Sequence, residues 1–516
     1  MRAYLPLSFA DDLDHNANWY AQVDAYVHGD RRITFRQLRD RAQLIATALQ
    51  YSGVRRQDRV GLLAMNSIDF AEITAATQYA GFILAPVNWR LAPPEMLNIL
   101  NDSAPNILLF EAQYADAIAQ IREHITAVKR YVCIDADLGC DWAESYAQFL
   151  AMGAGKTLSL RAREEDIACL IFTSGTTGKP KGCIWGHREL RQLVQVDAWL
   201  YGIEESDRVQ IVMPMFHVGG MVISMSTHVR GGTVYLHRQF DARAVLLDIE
   251  ANQLTALLLA PTMVQMVLDE YERTPVDVRS VRTIMYSAAP MPLPVLKRAI
   301  ELFDCGFLNL YGQSEICMFG LSPKMHRPDG SAADIKRLTS VGKPYPNLQA
   351  RIVDDNGNDC PPNVPGEIIA RSGAMFRGYW NNHCATLDTV RNGWCHTGDM
   401  GTLDDDGFLY LVDRKKDMII SGGENVYSRE VENAVLQHAA VSECAVIGLP
   451  DPKWGENVCA VVVLKPGQHT TEDDIIEFTR SQIASYKKPK RIIFAKELPK
   501  LVTGKVNKIE LRALYT

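Results

Sequence analysis

Several large protein classes are excluded by what the chain has little of. It contains no Cys-x-x-Cys pair, so neither a zinc site of that spacing nor a thioredoxin-type redox motif is present. Its 11 cysteines are scattered and odd in number, which fits reduced thiols in a cytoplasm and not a disulfide framework. No apolar window is long enough to span a bilayer. The N-terminus, Met1-Arg2-Ala3-Tyr4-Leu5-Pro6, lacks the apolar core of a signal peptide. No dense Lys/Arg run occurs, and a net charge of -7 argues against a general nucleic-acid binder. There is no internal repeat and no low-complexity tract. The expectation is a soluble intracellular protein without an integral membrane segment.

What remains is an ordinary globular composition, 47% hydrophobic and 22% charged. At 516 residues the chain exceeds what one compact core holds, so two or more domains are expected.

Thr34 followed by Gln37 reads as a capping box, and Leu38, Ala42, Ile45 and Leu49 then share one helical face. Apolar runs over 60–65, 82–87 and 107–110 read as strands, with helices from about Ser67 to Tyr79 and from Pro93 between them. The alternation resumes with strands over 209–213, 233–236, 255–260, 283–286 and 307–311, the last closing the series. A helix is expected past Gly220. Strand and helix alternating at this spacing predict a parallel sheet covered by helices. From about 340 the strands shorten and are separated by Gly, Pro, Asn and Asp turns, which predicts a small antiparallel sheet or barrel. The last hundred residues read as an α+β unit, with helices near 428–438 and 472–484 and strands near 443–448 and 458–464.

One stretch carries unusual chemistry. Thr173, Ser174, Gly175, Thr176, Thr177, Gly178, Lys179, Pro180, Lys181 and Gly182 follow a buried apolar run. Glycines let backbone approach a ligand closely, successive N–H groups can form an anion nest, and two lysines add charge. Such a loop suits a polyphosphate. It is not a Walker A loop, because only two residues separate Gly175 from Gly178-Lys179 and Pro180 stands where Ser/Thr is required. Its wording resembles the phosphate loop of the adenylate-forming superfamily, which includes acyl-CoA synthetases, luciferases and peptide-synthetase adenylation domains.

Further segments resemble that superfamily in the same order. Asn309-Leu310-Tyr311-Gly312-Gln313-Ser314-Glu315, expected just after a strand, is similar to its Tyr-Gly-x-[Ser/Thr]-Glu motif. Ligands bind beyond strand ends in open parallel sheets. The resemblance implies that Tyr311 stacks near adenine and that Glu315, with Thr173, faces Mg²⁺. Ser287, Ala288 and Ala289 resemble the small-residue segment bordering adenine and the acyl group. Asp399 in Thr397-Gly398-Asp399, and Arg414 after Asp413, are implied to bind ribose. Lys416 aligns with the hinge, and Gly422, Gly423 and Glu424 with the thioester-forming loop. Lys505 is similar to the lysine that serves adenylation. His217 aligns with a residue that gates the carboxylate site in acyl-CoA ligases.

The resemblance implies an α/β fold: a large N-terminal domain (1–413) of helix-covered, mostly parallel sheets with a small β-barrel-like subdomain (about 340–413), a hinge at 414–417, and a small mobile α+β C-terminal domain (418–516). It implies an ATP-dependent carboxylic acid–CoA ligase using ATP, Mg²⁺ and coenzyme A. Lys505, His217, Glu315 and Thr176 would be catalytic, and the rest of the phosphate loop would hold ATP. Met213, Met215, Met221, Met285, Cys317, Met318 and Phe319 lie in or near segments that line the family's acyl pocket, which suggests an uncharged alkyl or aryl tail. The family's dimers make a homodimer one expectation for assembly. Two alternatives stay open: an enzyme that loads a carrier protein, and a nucleotide-binding sensor without catalysis. Domains that select α-amino acids place an aspartate near His217, and Phe216-His217-Val218-Gly219 has none.

Overall fold

A computed structural model describes residues 7–516 except 137, 140, 174–179, 290, 422–423, 453 and 501–505. The chain divides into two compact units, one of residues 1–349 with 370–395 and one of 350–369 with 396–516.

The first unit holds two sheets. The larger has nine strands, in the order Lys343–Pro344, Ile316–Leu321, Gly306–Gln313, Thr283–Ser287, Ala256–Leu259, Arg208–Ile211, Thr233–Leu236, Asp24–His28 and Arg31–Thr34. Its six central strands are parallel and both edges are antiparallel. The second sheet has seven strands, in the order Glu144–Ser145, Arg130–Cys133, Ile107–Phe110, Arg59–Leu63, Ile83–Pro86, Ile167–Thr173 and Lys181–Gly186. All are parallel except the last, which returns antiparallel from the phosphate loop. The strands are short and apolar because helices cover them, and Ile107–Phe110, Ile83–Pro86 and Ala256–Leu259 are buried at every position.

The expected helices form where their caps are written. Thr34 caps helix Phe35–Tyr51 through a hydrogen bond from Gln37 N, with Gln37 returning the bond. Ser67 caps helix Ile68–Ala80, whose residues are nearly all buried, so it lies within the core and not on the surface.

One expectation is corrected. The strand series does not close at Tyr311. The strand runs on through Gln313, turns, and returns as Ile316–Leu321, with Lys343–Pro344 beyond it. Five residues of the motif that ends at Glu315 (Asn309, Leu310, Tyr311, Gly312 and Gln313) therefore lie in the strand and not after it.

A third, antiparallel sheet comprises Leu348–Val353, Gly366–Ser372, Trp394–Leu403, Val390–Arg391 and Leu409–Arg414. It is the β-rich stretch expected from about residue 340. Within the second unit, strands Glu424–Val426, Ile419–Ser421, Gly455–Leu464, Val441–Asp451 and Arg491–Phe494 form a five-stranded sheet. Helices Ser428–Val435, Glu472–Gln482 and Lys508–Tyr515 accompany it. Its Val- and Ile-rich strands bury side chains in two apolar clusters.

Candidate active site

In the first unit, the strand leading to the phosphate loop ends at Thr173, whose Oγ1 donates to Lys181 O at 3.4 Å across the returning strand. Ser174, Gly175, Thr176, Thr177, Gly178 and Lys179 lie outside the described residues. The returning strand is held on its far side by a segment that the sequence reading did not single out. Ile184 N donates to Gly378 O, Arg377 N to Ile184 O, and Trp380 N to Gly182 O, at 2.7–2.9 Å.

That contact brings Tyr379 to Glu315. The Tyr379 hydroxyl donates to Glu315 Oε1 at 2.6 Å, and the Lys181 ammonium sits 4.4 Å from the centre of the Tyr379 ring. The Glu315 backbone is pinned as well: Phe376 N donates to Glu315 O at 2.9 Å, and Trp185 Nε1 donates to Ser314 O at 2.9 Å. Burial and the Glu315 carboxylate push the Tyr379 phenol well above its ordinary value, so it stays a hydrogen-bond donor. Burial, then Glu315, raises the Cys183 thiol in the same way. One carboxylate oxygen takes the phenol while the group retains acceptor capacity. Mg²⁺ that arrives with nucleotide phosphates needs only one or two protein carboxylates, so Glu315 beside Lys181 fits that role.

Tyr379 was missed because 64 residues separate it from Glu315. The available signal was the aromatic cluster Phe376-Arg377-Gly378-Tyr379-Trp380, since polar-tipped aromatics buried near a motif need partners.

The strand that carries Tyr311 packs tightly against its return. Gly312 faces Cys317, and a Cβ on Gly312 would lie 2.8 Å from Cys317 Cα. Only glycine fits there. Asn309 is buried and reaches Ser340 O, and Tyr311 tilts against Phe319. At the end of the neighbouring parallel strand, Ala288 adopts φ +75° and is exposed with Ala289. A non-glycine residue in the left-handed region marks stored strain, which clusters at functional sites.

His217 caps helix Val218–Val229, with Gly219 N donating to its Nδ1 at 3.4 Å. Gly219 and Gly220 thus lie inside the helix, which starts earlier than expected. Of the expected acyl-pocket residues, Met215, Met221, Met285, Met318 and Phe319 are buried, while Met213 and Cys317 keep accessible surface.

The second unit holds the remaining motifs. Asp399 and Arg414 are direct cross-strand partners, and Arg414 Nε lies 2.6 Å from Asp399 Oδ1. Thr397 Oγ1 donates to Ile368 O and accepts from Asp399 N, which fixes the Thr-Gly-Asp turn. Lys416 lies in a short 3₁₀ turn. Partial desolvation, with Arg414, Arg512 and Lys508 nearby, draws its ammonium below the usual lysine value. Gly422 and Gly423 lie outside the described residues, between the paired strands that end at Ser421 and begin at Glu424. Lys505 also lies outside them. The stem of its loop is closed by the Lys500–Val506 bridge and by Asn507 N donating to Pro499 O at 2.8 Å.

Comparison with known proteins shows the family. Residues 13–380 match the AMP-binding enzyme family, and residues 430–505 match the AMP-binding enzyme C-terminal domain. The chain belongs to the AMP-binding enzyme family. It is 34% identical to a feruloyl-CoA synthase of Amycolatopsis sp, over 95% of each chain. It is 32% identical to the fatty acid–[acyl-carrier-protein] ligase ScoC of Streptomyces coeruleorubidus, over 93% of this chain and 91% of that one. Among solved structures, o-succinylbenzoate CoA synthetase from Bacillus subtilis, in complex with its acyl-adenylate intermediate, superposes with a TM-score of 0.86 at 29% identity over 99% of each chain. The protein is accordingly an enzyme of the adenylate-forming acyl-CoA synthetase branch, whose members use ATP, Mg²⁺ and CoA. No helix among the described residues is long and apolar enough to cross a membrane.

Proposed function

We propose that the enzyme activates a carboxylic acid as acyl-AMP with release of pyrophosphate and then transfers the acyl group to the CoA thiol. The observation that carries this reading is the Glu315–Tyr379–Lys181 cluster, a carboxylate and an ammonium held together where the phosphate loop returns.

A carboxylic acid with a pKa of about 4 is already an anion at neutral pH, so no general base is needed for the first step. What the step needs is charge neutralisation and in-line placement at the α-phosphate. The loop 174–179 would hold the β- and γ-phosphates, and Lys505 would bridge carboxylate and α-phosphate oxygens. Mg²⁺, when bound with ATP, would offset phosphate charge, with Glu315 and Thr173 as its protein oxygens. Asp399 would take the ribose hydroxyls, with Arg414 donating to them or to phosphate. In the second step a thiol with a pKa of about 8.5 attacks as thiolate and AMP leaves. The domain division at 414–417, with Lys416 as hinge and Gly422-Gly423 replacing Lys505 near the thiol, belongs to this proposal. So do a cytoplasmic location and a homodimer. The apolar, partly buried Met213 and Cys317 support an alkyl or aryl acid as substrate.

A second reading, transfer to a carrier-protein thiol, is favoured by one observation: the similarity to a fatty acid–[acyl-carrier-protein] ligase. Pyrophosphate release from ATP, measured across aliphatic, aryl and amino acids with CoA, with a carrier protein, or with neither, tests both. CoA-dependent turnover with one acid series supports the first. Turnover that needs the carrier protein and ignores CoA supports the second. ATP binding without turnover of any acid would refute both.

A further inference from the structure

We propose that Asn66 is a positioning residue for the acid-binding loop, Met213 to His217, and thereby for His217. The proposal rests on the reading of His217 as the gate of the carboxylate site.

The loop connects strand Arg208–Ile211 of the nine-stranded sheet to helix Val218–Val229. Asn66 belongs to the other sheet's connections, three residues past strand Arg59–Leu63. Its side-chain amide clasps the loop at two points. Nδ2 donates to Met213 O at 2.9 Å, and Oδ1 accepts from Met215 N at 2.8 Å. This donor–acceptor pattern fixes the orientation of the amide. Asn66 is 2% exposed and Met215 1% exposed, so water cannot replace the bond between them, while the bond to Met213 O is partly buried. Of the common side chains only asparagine fits both ends: aspartate cannot donate to Met213 O, serine is too short, and glutamine carries one methylene too many.

The clasp has a rigid mount. Met65 N donates to Glu111 Oε2 at 3.2 Å, and Arg238 grips both Glu111 oxygens at 2.9 Å. Ser67, on the other side, caps helix Ile68–Ala80. Trp89, in the connection after strand Ile83–Pro86, packs edge-on to Phe216, 6.4 Å between centroids, so a second residue from the seven-stranded sheet's connections steadies the neighbour of His217. From below, Gly220 backs the same loop: a Cβ there would lie 2.5 Å from Pro214 O and 2.6 Å from Met213 O. The loop is therefore held between Asn66 on one side and the helix start on the other. His217 N completes it by donating to Pro214 O at 3.1 Å. Removing the amide strands the buried Met215 N–H and frees the partly buried Met213 C=O in the connection that aims His217.

The test compares Asn66→Ala with Ser67→Ala in the full-length enzyme, using steady-state kinetics with the preferred acid and with ATP varied separately. Both variants lose thermal stability, but only the first loosens the loop. Asn66→Ala is expected to raise the acid KM on the order of tenfold while the ATP KM stays within about twofold. Its preference among acids of different width flattens. Ser67→Ala keeps the acid KM and the acid preference. Gly220→Ala, which pushes the loop from the opposite side, is expected to reproduce the Asn66→Ala signature and carries the test if Asn66→Ala does not fold. An acid KM unchanged in both loop variants would overturn the proposal. His217→Ala separates the two levels: acid kinetics insensitive to His217 would refute the gate reading, whereas sensitivity to His217 without sensitivity to Asn66 would refute only the clasp.

Discussion

The Tyr379 hydroxyl can be removed without touching the ring that carries it. In Tyr379→Phe the Lys181 ammonium keeps its aromatic face at 4.4 Å, and the hydroxyl's 2.6 Å bond to Glu315 Oε1 is lost together with its contact to Thr389. A hydrogen bond to an ionised group contributes roughly 1.5–3 kcal/mol. Each 1.36 kcal/mol is tenfold in rate, so kcat/KM for ATP should fall by about tenfold to about a hundredfold if the bond holds Glu315 in its working position. The loss should partly recover at high Mg²⁺, because a loosened carboxylate still binds the metal but pays to be ordered. Tyr379→Ala should lose more, since the contact with the ammonium goes too, a further ~0.5–2 kcal/mol. The assay is pyrophosphate release at saturating acid, with Mg²⁺ and ATP varied and melting temperature recorded for each variant. A Tyr379→Phe enzyme with wild-type kinetics at every Mg²⁺ concentration would refute the reasoning and leave Tyr379 a packing residue.

Three other outcomes are expected. Lys505→Ala should abolish acyl-adenylate formation yet still convert supplied acyl-adenylate to thioester; equal loss of both half-reactions would count against a lysine confined to the first step. Asp399→Asn keeps the shape of the strand pair with Arg414 but removes its charge, and should raise the ATP KM on the order of tenfold, read by titrating ATP at saturating acid. Asp197 is fully buried, and burial pushes its carboxyl up from 3.8 to about 8, with the Tyr201 hydroxyl offsetting only part of that. Its folded value lies above its unfolded one, so its contribution is fully present below pH 3.8 and is lost as pH rises through about 8. Denaturant titrations should show stability declining over that window by up to about 1.4 kcal/mol per pH unit from this group, and Asp197→Asn should remove the decline.

Short-range signals were written plainly. Thr34 and Gln37 form the capping box their spacing implies, Ser67 begins its helix, and the runs at 107–110 and 233–236 are strands at those bounds. Those features depend on neighbours within a few residues, where period and side-chain chemistry decide. Pairings across long stretches of chain were not legible. Nothing local says that Ile316–Leu321 must fold back on strand Gly306–Gln313. Its apolar run could equally have started a new crossover, and the choice is made by the tight contact of Gly312 with Cys317. Tyr379 meets Glu315, and Asn66 meets Met213, only because the two sheets are folded against each other. An amide at position 66 beside a good helix cap reads as part of that cap. The site motifs themselves were legible by resemblance, yet what holds them in place was not.

Ala288 has a consequence for how this enzyme can be altered. With φ at +75°, its position admits glycine freely, asparagine or aspartate at modest cost, and a β-branched residue hardly at all. Libraries that diversify this turn will therefore waste most of their variants at this codon, and the survivors will be those that keep it small. Ala288→Gly should relax the backbone there while widening the range of shapes the turn can sample.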